Sequence, residues 1–415
     1  IVVDEEHDAS YKQDDGVCYN ARDMAVMRAS LSGARVILAS ATPSLETWVN
    51  AKTGKYNRFD LWSRYGQAIL PGIEVIDLRG QRTKNGGFIS EILKTQIEIR
   101  LKRGEQSLLF LNRRGYAPIT VCTNCGFQLG CKTCDSRLVF HKFKEKLICH
   151  QCGEESKIVS SCPKCGVNGR LASVGPGIER LQEECINIFP NSRVGVLSSD
   201  TADGVLELRK KFDDFRSGEV DIIIGTQLVS KGHNFPKITL VGVIDADLGL
   251  QGSDLRAAEK TFQSLRQVSG RAGRDSTPGK AYIQTYCPEH PVILAISKGE
   301  DDEFWQLEAE LRRRAGSPPF GRFVSLILSG PNDKQLFTIG RKLNQSWEEL
   351  HFDDTYIYGP AFAPISKIRN RFRVRLLIKA KKNKNIQVMI NYLIRNISLP
   401  RTVRMTVDVD PQNFY

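Results

Sequence analysis

Eight of the eleven cysteines stand in four C-x₂-C pairs: Cys122/Cys125, Cys131/Cys134, Cys149/Cys152 and Cys162/Cys165. Each pair can give two thiolates to one tetrahedral ion, so eight ligands imply two Cys₄ zinc sites. An iron–sulfur cluster is the competing occupant, and spacing alone leaves three pairings of the four pairs open. Gly126, Gly153 and Gly166 follow three of the pairs, where a metal knuckle needs positive φ; Asp135, which tolerates that conformation, follows the fourth. His141 and His150 lie between the pairs, but full Cys₄ shells leave them as surface residues. Cys18, Cys185 and Cys287 read as plain thiols. Pairs this close suit metal ligation in a reducing cytoplasm better than the disulfide framework of a secreted chain.

A second chemistry is written between Ile222 and Arg274. The apolar run Ile222-Ile223-Ile224 stops at Gly225-Thr226-Gln227, then passes through Ser230-Lys231-Gly232-His233 to a second apolar run, Ile238 to Ile244. That run ends on Asp245-Ala246-Asp247, and a helix-length segment from Asp254 closes with Gln267-Val268-Ser269-Gly270-Arg271-Ala272-Gly273-Arg274. Arginine binds phosphate oxygens bidentately and glycine lets the backbone approach, so this set suits a polyphosphate. Continuous apolar strands are buried on both faces, as in a parallel sheet, whose ligands collect at the carboxyl ends of strands. The expectation is that all three pieces gather there.

At the start of the chain, Ile1-Val2-Val3 runs into Asp4-Glu5-Glu6-His7. A buried strand ending in Asp-Glu is how a P-loop ATPase holds Mg²⁺ and orients the attacking water. Tyr11 and Tyr19 follow in a polar loop that runs to Arg22, where aromatic rings can stack on bases. The turn Ser40-Ala41-Thr42-Pro43-Ser44 ends one strand and caps the next helix.

These residues need elements to hold them. Helices are predicted over 21–31, from Ser90 to Gly104, 178–188, 205–215, 254–270 and, unbroken, 292–314. Strands are predicted over 35–39, 108–111, 194–197, 220–224, 238–244 and 281–286. Residues 52–87 read as a connection between two lobes. The βα rhythm argues for a doubly wound lobe interrupted by the cysteine segment. After Ser317-Pro318-Pro319-Phe320-Gly321, a stiff linker, the order β, α, β, β, α, β points to a separate α+β sandwich. Inside it Ile365 to Lys384 holds nine basic residues and no acid, and Arg369, Arg371, Arg373 and Arg375 alternate along one strand face. Four like charges in a row repel one another, which favours an anionic partner.

The bulk numbers agree. A chain of 415 residues holds several domains, and a net charge of +12 with a pI near 9.1 favours a polyanion, nucleic acid first. No apolar run reaches the roughly 18 to 20 residues of a membrane span, and no signal peptide is visible.

Together these motifs resemble the replication-restart DNA helicases of superfamily 2, the PriA family, from Asp4 essentially to Tyr415. Asp4 to His7 is similar to the family's Walker B box, Ser40-Ala41-Thr42 to its motif III, Gly225 to Phe235 to its motif V, and Gln267 to Arg274 to its motif VI. Cys18 and Asn234 depart from the residues more frequent there. The resemblance implies an α/β fold of RecA-like helicase lobes. Residues 1–70 would complete lobe 1, 71–300 form lobe 2 with a two-zinc cysteine-rich insertion at 119–170, and 305–415 form the C-terminal α+β domain. It implies a nested metal pairing, the outer pairs Cys122, Cys125, Cys162 and Cys165 on one zinc and the inner pairs Cys131, Cys134, Cys149 and Cys152 on the other.

It implies an ATP-dependent 3′-to-5′ DNA helicase that restarts stalled replication forks and initiates primosome assembly. Asp4 would hold Mg²⁺ and Glu5 the water. Arg271 and Arg274 would face the γ-phosphate of ATP, and Gln267, His7, Asp247, Gly225 and Lys231 would couple nucleotide to DNA. Tyr11, Tyr19, Arg22, Arg113, Arg369, Arg371 and Arg373 are DNA-binding candidates. Branched and single-stranded DNA, the single-stranded-DNA-binding protein and primosome proteins are the implied partners, with no membrane, in a cytoplasmic, nucleoid-associated protein. No G-x-x-x-x-G-K-[ST] occurs, and the opening Ile-Val-Val has the character of mid-strand, so the chain reads as a C-terminal fragment that does not hydrolyse ATP alone. A zinc-dependent DNA-binding or partner-docking module without motor activity is the alternative.

Overall fold

The computed structural model describes residues 1–14, 16–61, 71–80, 87–111, 119–122, 124–141, 146–149, 151–169, 171–174, 177–197, 205–226, 235–250, 254–273 and 278–413. The chain divides into two compact units. One comprises Ile1–Tyr56, Ile119–Val174 and Gln306–Tyr415; the other comprises Asn57–Pro118 and Gly175–Trp305.

The second unit is built on a six-stranded sheet, every pairing parallel, in the order Val194–Leu197, Ile222–Gly225, Gln106–Phe110, Ile238–Val243, Lys280–Thr285, Gly72–Asp77. Every residue of Gln106–Phe110, Ile222–Gly225 and Ile238–Val243 is buried, which is why Leu108-Leu109-Phe110 and Ile222-Ile223-Ile224 read as continuous apolar runs. Leu93 and Ile97 of the helix Glu91–Lys102 and Leu181 of Ile178–Ile188 pack with Leu109, Ile222 and Leu240 in one core. Ser90 caps the first of these helices, accepting the Leu93 N–H at 3.3 Å.

Two expectations are corrected here. The connection at 52–87 contains the edge strand Gly72–Asp77, whose Glu74 pairs with Lys280 of its neighbour at 2.5 Å. The span read as one helix over 292–314 is two, Pro291–Lys298 and Asp301–Arg314, because Gly299 takes φ +75 and its N–H closes on the Ala295 carbonyl.

In the first unit, Val2–Asp4 and Ile37–Ala39 form a parallel pair, with the helices Ala21–Ser32 and Leu45–Lys52 beside them in sequence. The C-terminal domain is a four-stranded antiparallel sheet in the order Thr355–Ile368, Arg371–Lys381, Gly321–Gly330, Arg404–Val409. With the helices Asp333–Glu349 and Ile386–Arg395 this is a βαββαβ, ferredoxin-like arrangement. Val324, Leu326, Val374, Leu376 and Ile378 face both helices and form its core. The cysteine segment folds as short strands, Ile119–Cys122 paired with Leu171–Val174 and a three-stranded sheet of Val139–His141, Lys146–Ile148 and Glu155–Lys157. Among the described residues no helix is long and apolar enough to cross a membrane.

Candidate functional site

The eight cysteines assemble into two tetrads, Cys122, Cys125, Cys162, Cys165 and Cys131, Cys134, Cys149, Cys152, with the sulfurs of each within 4.8 Å of one another. Sulfur separations of 3.7 Å for Cys122–Cys165, 3.6 Å for Cys125–Cys162 and 3.8 Å for Cys131–Cys152 match the edge of a tetrahedron with 2.3 Å zinc–sulfur bonds, about 3.8 Å. The donor set therefore fits zinc, and the nested pairing is the one observed. Around the inner tetrad, Thr133 Oγ1 donates to Glu154 Oε2 at 2.9 Å and the Thr133 N–H reaches Cys131 Sγ at 3.4 Å. Nothing in composition or spacing singled out Thr133 or Glu154; their places one residue before Cys134 and two after Cys152 are the only signal.

At the amino-terminal strand, Asp4 ends Val2–Asp4 and its Oδ1 accepts the Glu5 N–H at 3.0 Å. Glu5 takes φ +49, a left-handed conformation that costs a non-glycine residue about 1 kcal/mol and is common at functional sites. His7 Nδ1 lies 2.7 Å from Ser40 Oγ and 3.6 Å from Glu5 Oε2, and its Nε2 lies 3.4 Å from Thr42 Oγ1. The acidic strand tip and the Ser40-Ala41-Thr42 turn are thus linked through one imidazole. Tyr11 donates from its hydroxyl to the Asp4 carbonyl at 2.7 Å. The loop after it is a hairpin, Lys12–Gln13 against Tyr19–Asn20, tied to the C-terminal sheet by Lys12 Nζ on Asp408 Oδ1 at 2.5 Å; Tyr19 is exposed.

Arg22, a DNA-binding candidate by sequence, is placed against Glu6. Arg22 is buried and donates to Glu6 Oε2 at 3.1 Å, Ser44 Oγ at 2.7 Å and Asp23 Oδ1 at 2.8 Å. Burial works against its charge, but Glu46, Asp23 and Glu6 together hold the guanidinium above its ordinary range. The side chain braces the strand tip from inside and is not presented to DNA. Glu6 also accepts the Ser44 N–H at 2.6 Å. Glu6→Ala leaves a buried guanidinium short of its partner and is expected to lower stability by about 3 kcal/mol in denaturant unfolding; an unchanged midpoint would show the brace to be slack.

In the parallel-sheet unit the polyphosphate set does not gather at one edge. Gly225 and Thr226 end a strand at the carboxyl edge, beside the end of Gln106–Phe110, and Asp245 to Asp247 end the next strand at the same edge. The helix Ala257–Ser269 then runs back about 20 Å, so Arg271 emerges at the amino edge, where the Gly273 N–H bonds the Ile238 carbonyl at 3.0 Å. Topology forces this, since a loop that feeds a parallel strand lies at its amino end. A side chain at Gly279 would strike the backbone of Ala272 and Gly273 at 2.4 Å, so glycine there lets the Arg271 turn pack flat. Arg271 is 5% exposed, and Gln267 is half-buried on the last turn of the helix. Asp247 is buried: Oδ1 accepts from Thr285 Oγ1 at 2.5 Å and Oδ2 from the Tyr286 N–H at 2.6 Å, so it locks two strand ends together. Arg113, Lys231 and Arg274 lie outside the described residues.

Of the basic strand, Arg371 donates to the Ser329 carbonyl at 2.7 Å and the Thr402 carbonyl at 2.8 Å, and Arg369 sits in the turn before it at φ +47. Arg373 and Arg375 share the sheet face away from the helices. Burial, and for Arg373 the charge of Arg375, pushes both guanidiniums below their ordinary range. The expected row of four is thus a close pair.

A parallel α/β sheet whose sequence is interrupted by a ribbon gathering two thiolate tetrads is the fold of a helicase lobe with a zinc-binding cysteine-rich insert. Residues 177–276 match the family described as helicase conserved C-terminal domain. Residues 131–157 match the PriA DNA helicase Cys-rich region and residues 313–412 the primosomal protein N C-terminal domain. The chain belongs to the PriA family. It is 44% identical over 415 residues to the replication restart protein PriA of Rickettsia conorii, 35% to that of Haemophilus influenzae and 34% to that of Bacillus subtilis. The matches cover 100%, 100% and 99% of this chain, and 64%, 56% and 51% of those relatives.

Proposed function

We propose that this chain is the larger part of an ATP-driven DNA helicase that translocates 3′ to 5′ on single strands at stalled forks and loads primosome partners. Its regions read as the end of a first RecA-like lobe over 1–70, a second lobe over 71–300 with the metal insertion at 119–170, and a DNA-holding domain over 305–415. The observation that carries the motor reading is the linkage of Glu5 to Ser40 and Thr42 through His7, with Asp4 accepting the Glu5 N–H, because a hydrolytic site needs its acids coupled to an element that can move.

A strand-end carboxylate fits a hard divalent cation, so Asp4 would hold Mg²⁺, which would supply neutralisation of phosphate charge. Glu5 orients the attacking water, and Arg271 with Arg274 offsets charge on the γ-phosphate. Tyr11, hydrogen-bonded to Asp4, passes the state of the hairpin that carries Tyr19 to the strand tip. Arg373 and Arg375, with Arg369 at the turn, are suited to phosphates of branched DNA or to an acidic protein tail.

Without a P-loop lysine the β- and γ-phosphates have no cradle. The chain as given is therefore expected to show no ATP turnover above blank with single-stranded DNA present. The whole protein is expected to unwind forks bearing a 3′ single strand. DNA-stimulated hydrolysis by this chain alone, or a 5′ preference in the whole protein, would overturn the respective part of the reading.

A further inference from the structure

Four knuckles of equal spacing differ in one hydrogen bond. In three of them the N–H of Gly126, Gly153 or Gly166 donates to the carbonyl of Cys122, Cys149 or Cys162 at 2.8 Å, with the glycine at φ +71, +76 or +72. The knuckle Cys131–Cys134 has Asp135 in that position. Asp135 is not among the positive-φ residues, which departs from the expectation that it would mimic glycine, and its N–H donates outward to the Lys367 carbonyl at 2.8 Å. The contact that each other knuckle makes within itself is made here by the C-terminal domain.

Three more bonds join the same two segments. The Asn370 N–H donates to the Thr133 carbonyl at 2.9 Å, Ser366 Oγ donates to Asp135 Oδ2 at 2.6 Å, and the Arg369 N–H points at Cys134 Sγ at 3.3 Å. Ile368 packs on the small apolar cluster formed by Leu129, Leu138 and Leu147 with the cysteines. The donors are set by a tight turn with Arg369 at φ +47 and Asn370 at φ +61, the conformation that joins two twisted strands. An N–H aimed at a ligand sulfur orients the ligand and disperses its charge, the role that groups behind a metal's ligands play generally.

We propose that the turn Ser366–Arg371 of the C-terminal domain completes the inner metal site, so that the inner zinc and this hairpin are retained or lost together. The inference rests on the zinc assignment and is independent of the motor reading. Its consequence is that the strand Arg371–Lys381, with Arg373 and Arg375, is anchored at one end by a metal site in a different segment of the chain. An incomplete knuckle and a basic strand thereby become one cooperative element.

The test uses the whole chain, its metal content first measured by elemental analysis. Zinc release to the chromogenic chelator 4-(2-pyridylazo)resorcinol is followed in parallel with amide exchange of peptides covering 131–135, 162–166 and 366–371. The expected result is that 366–371 opens at the same rate as 131–135. In Ser366→Ala, which removes only a hydroxyl, one of the two zincs should leave about tenfold faster while the other is unchanged. The proposal is overturned if 366–371 stays protected after 131–135 has opened, or if both zincs of Ser366→Ala leave at the unaltered rates. A chain that holds no zinc would overturn it together with the metal assignment, an outcome that elemental analysis separates from the other two.

Discussion

Stripping zinc from the chain with a thiol-competing chelator will unfold residues 119–174 and leave the six-stranded parallel sheet folded. The segment's own core is small, and its other ties are the few hydrogen bonds to the turn at Ser366–Arg371. Its fully buried apolar side chains among the described residues are Leu129, Leu138 and Leu147 packed among cysteines, with Phe127, Leu171 and Ile368 partly buried against them, and its strands are three or four residues long. Burying those three leucines is worth about 5 to 9 kcal/mol, whereas ordering each residue of the segment costs about 1 to 2 kcal/mol. Each structural zinc contributes on the order of 10 kcal/mol or more, so the metal decides whether the segment folds. The sheet is in the opposite position, since three of its four inner strands are wholly buried and contain no metal ligand. Limited proteolysis after chelation should cut within 119–174 and spare the strands Gln106–Phe110 and Ile238–Val243. Elemental analysis of the untreated chain should return two zincs. Iron in place of zinc, or a segment that resists protease once the metal is gone, would contradict the argument.

Which parts of this molecule could be read beforehand follows from how locally each is determined. A tetrahedral site needs pairs of thiolates on tight turns, so C-x₂-C announces itself within four residues. A strand buried on both faces must be apolar throughout, so Ile222-Ile223-Ile224 announces itself as well. The edge strand Gly72–Asp77 does not, because one long side faces solvent and Gly72, Glu74 and Asp77 look like loop residues until Lys280 pairs with Glu74. Gly299 inside an apolar period could belong to a continuing helix or end one, and a positive φ is a property of the fold. The same holds for Glu6 and Arg22. Arg22 reads as a DNA-binding candidate and Glu6 as one acid of an acidic strand end, and only the packing of Ala21–Ser32 beside Ser44 turns the pair, sixteen positions apart, into an internal brace. Placing Arg271 with Gly225 at one sheet edge failed for a different reason: chemistry was matched before topology, and a helix that returns to the amino edge must carry its last residues away from the carboxyl edge.

Replacing Arg271 in the whole protein is the sharper test of the motor reading. Arg271 leaves the helix Ala257–Ser269 with its N–H on the Val268 carbonyl at 2.9 Å, in a turn that Gly279 allows to pack flat. On the motor reading, the backbone that carries this guanidinium is already ordered before phosphate arrives, a property that makes an arginine finger effective. Arg271→Ala is expected to lower kcat for ATP about 10³-fold or more while DNA affinity stays within about threefold, because the loss falls on charge that develops during phosphoryl transfer. Arg271→Lys keeps the charge and loses the planar fork, so it should recover only a small part of the rate. A structural role makes a different prediction. Arg271 is nearly enclosed, and if its task were only to fill that space, both variants would lower the melting temperature and depress DNA binding and hydrolysis together. Measuring kcat, KM and DNA affinity beside thermal unfolding separates the two: ATP turnover that survives Arg271→Ala in a folded protein would remove this residue from the hydrolytic site.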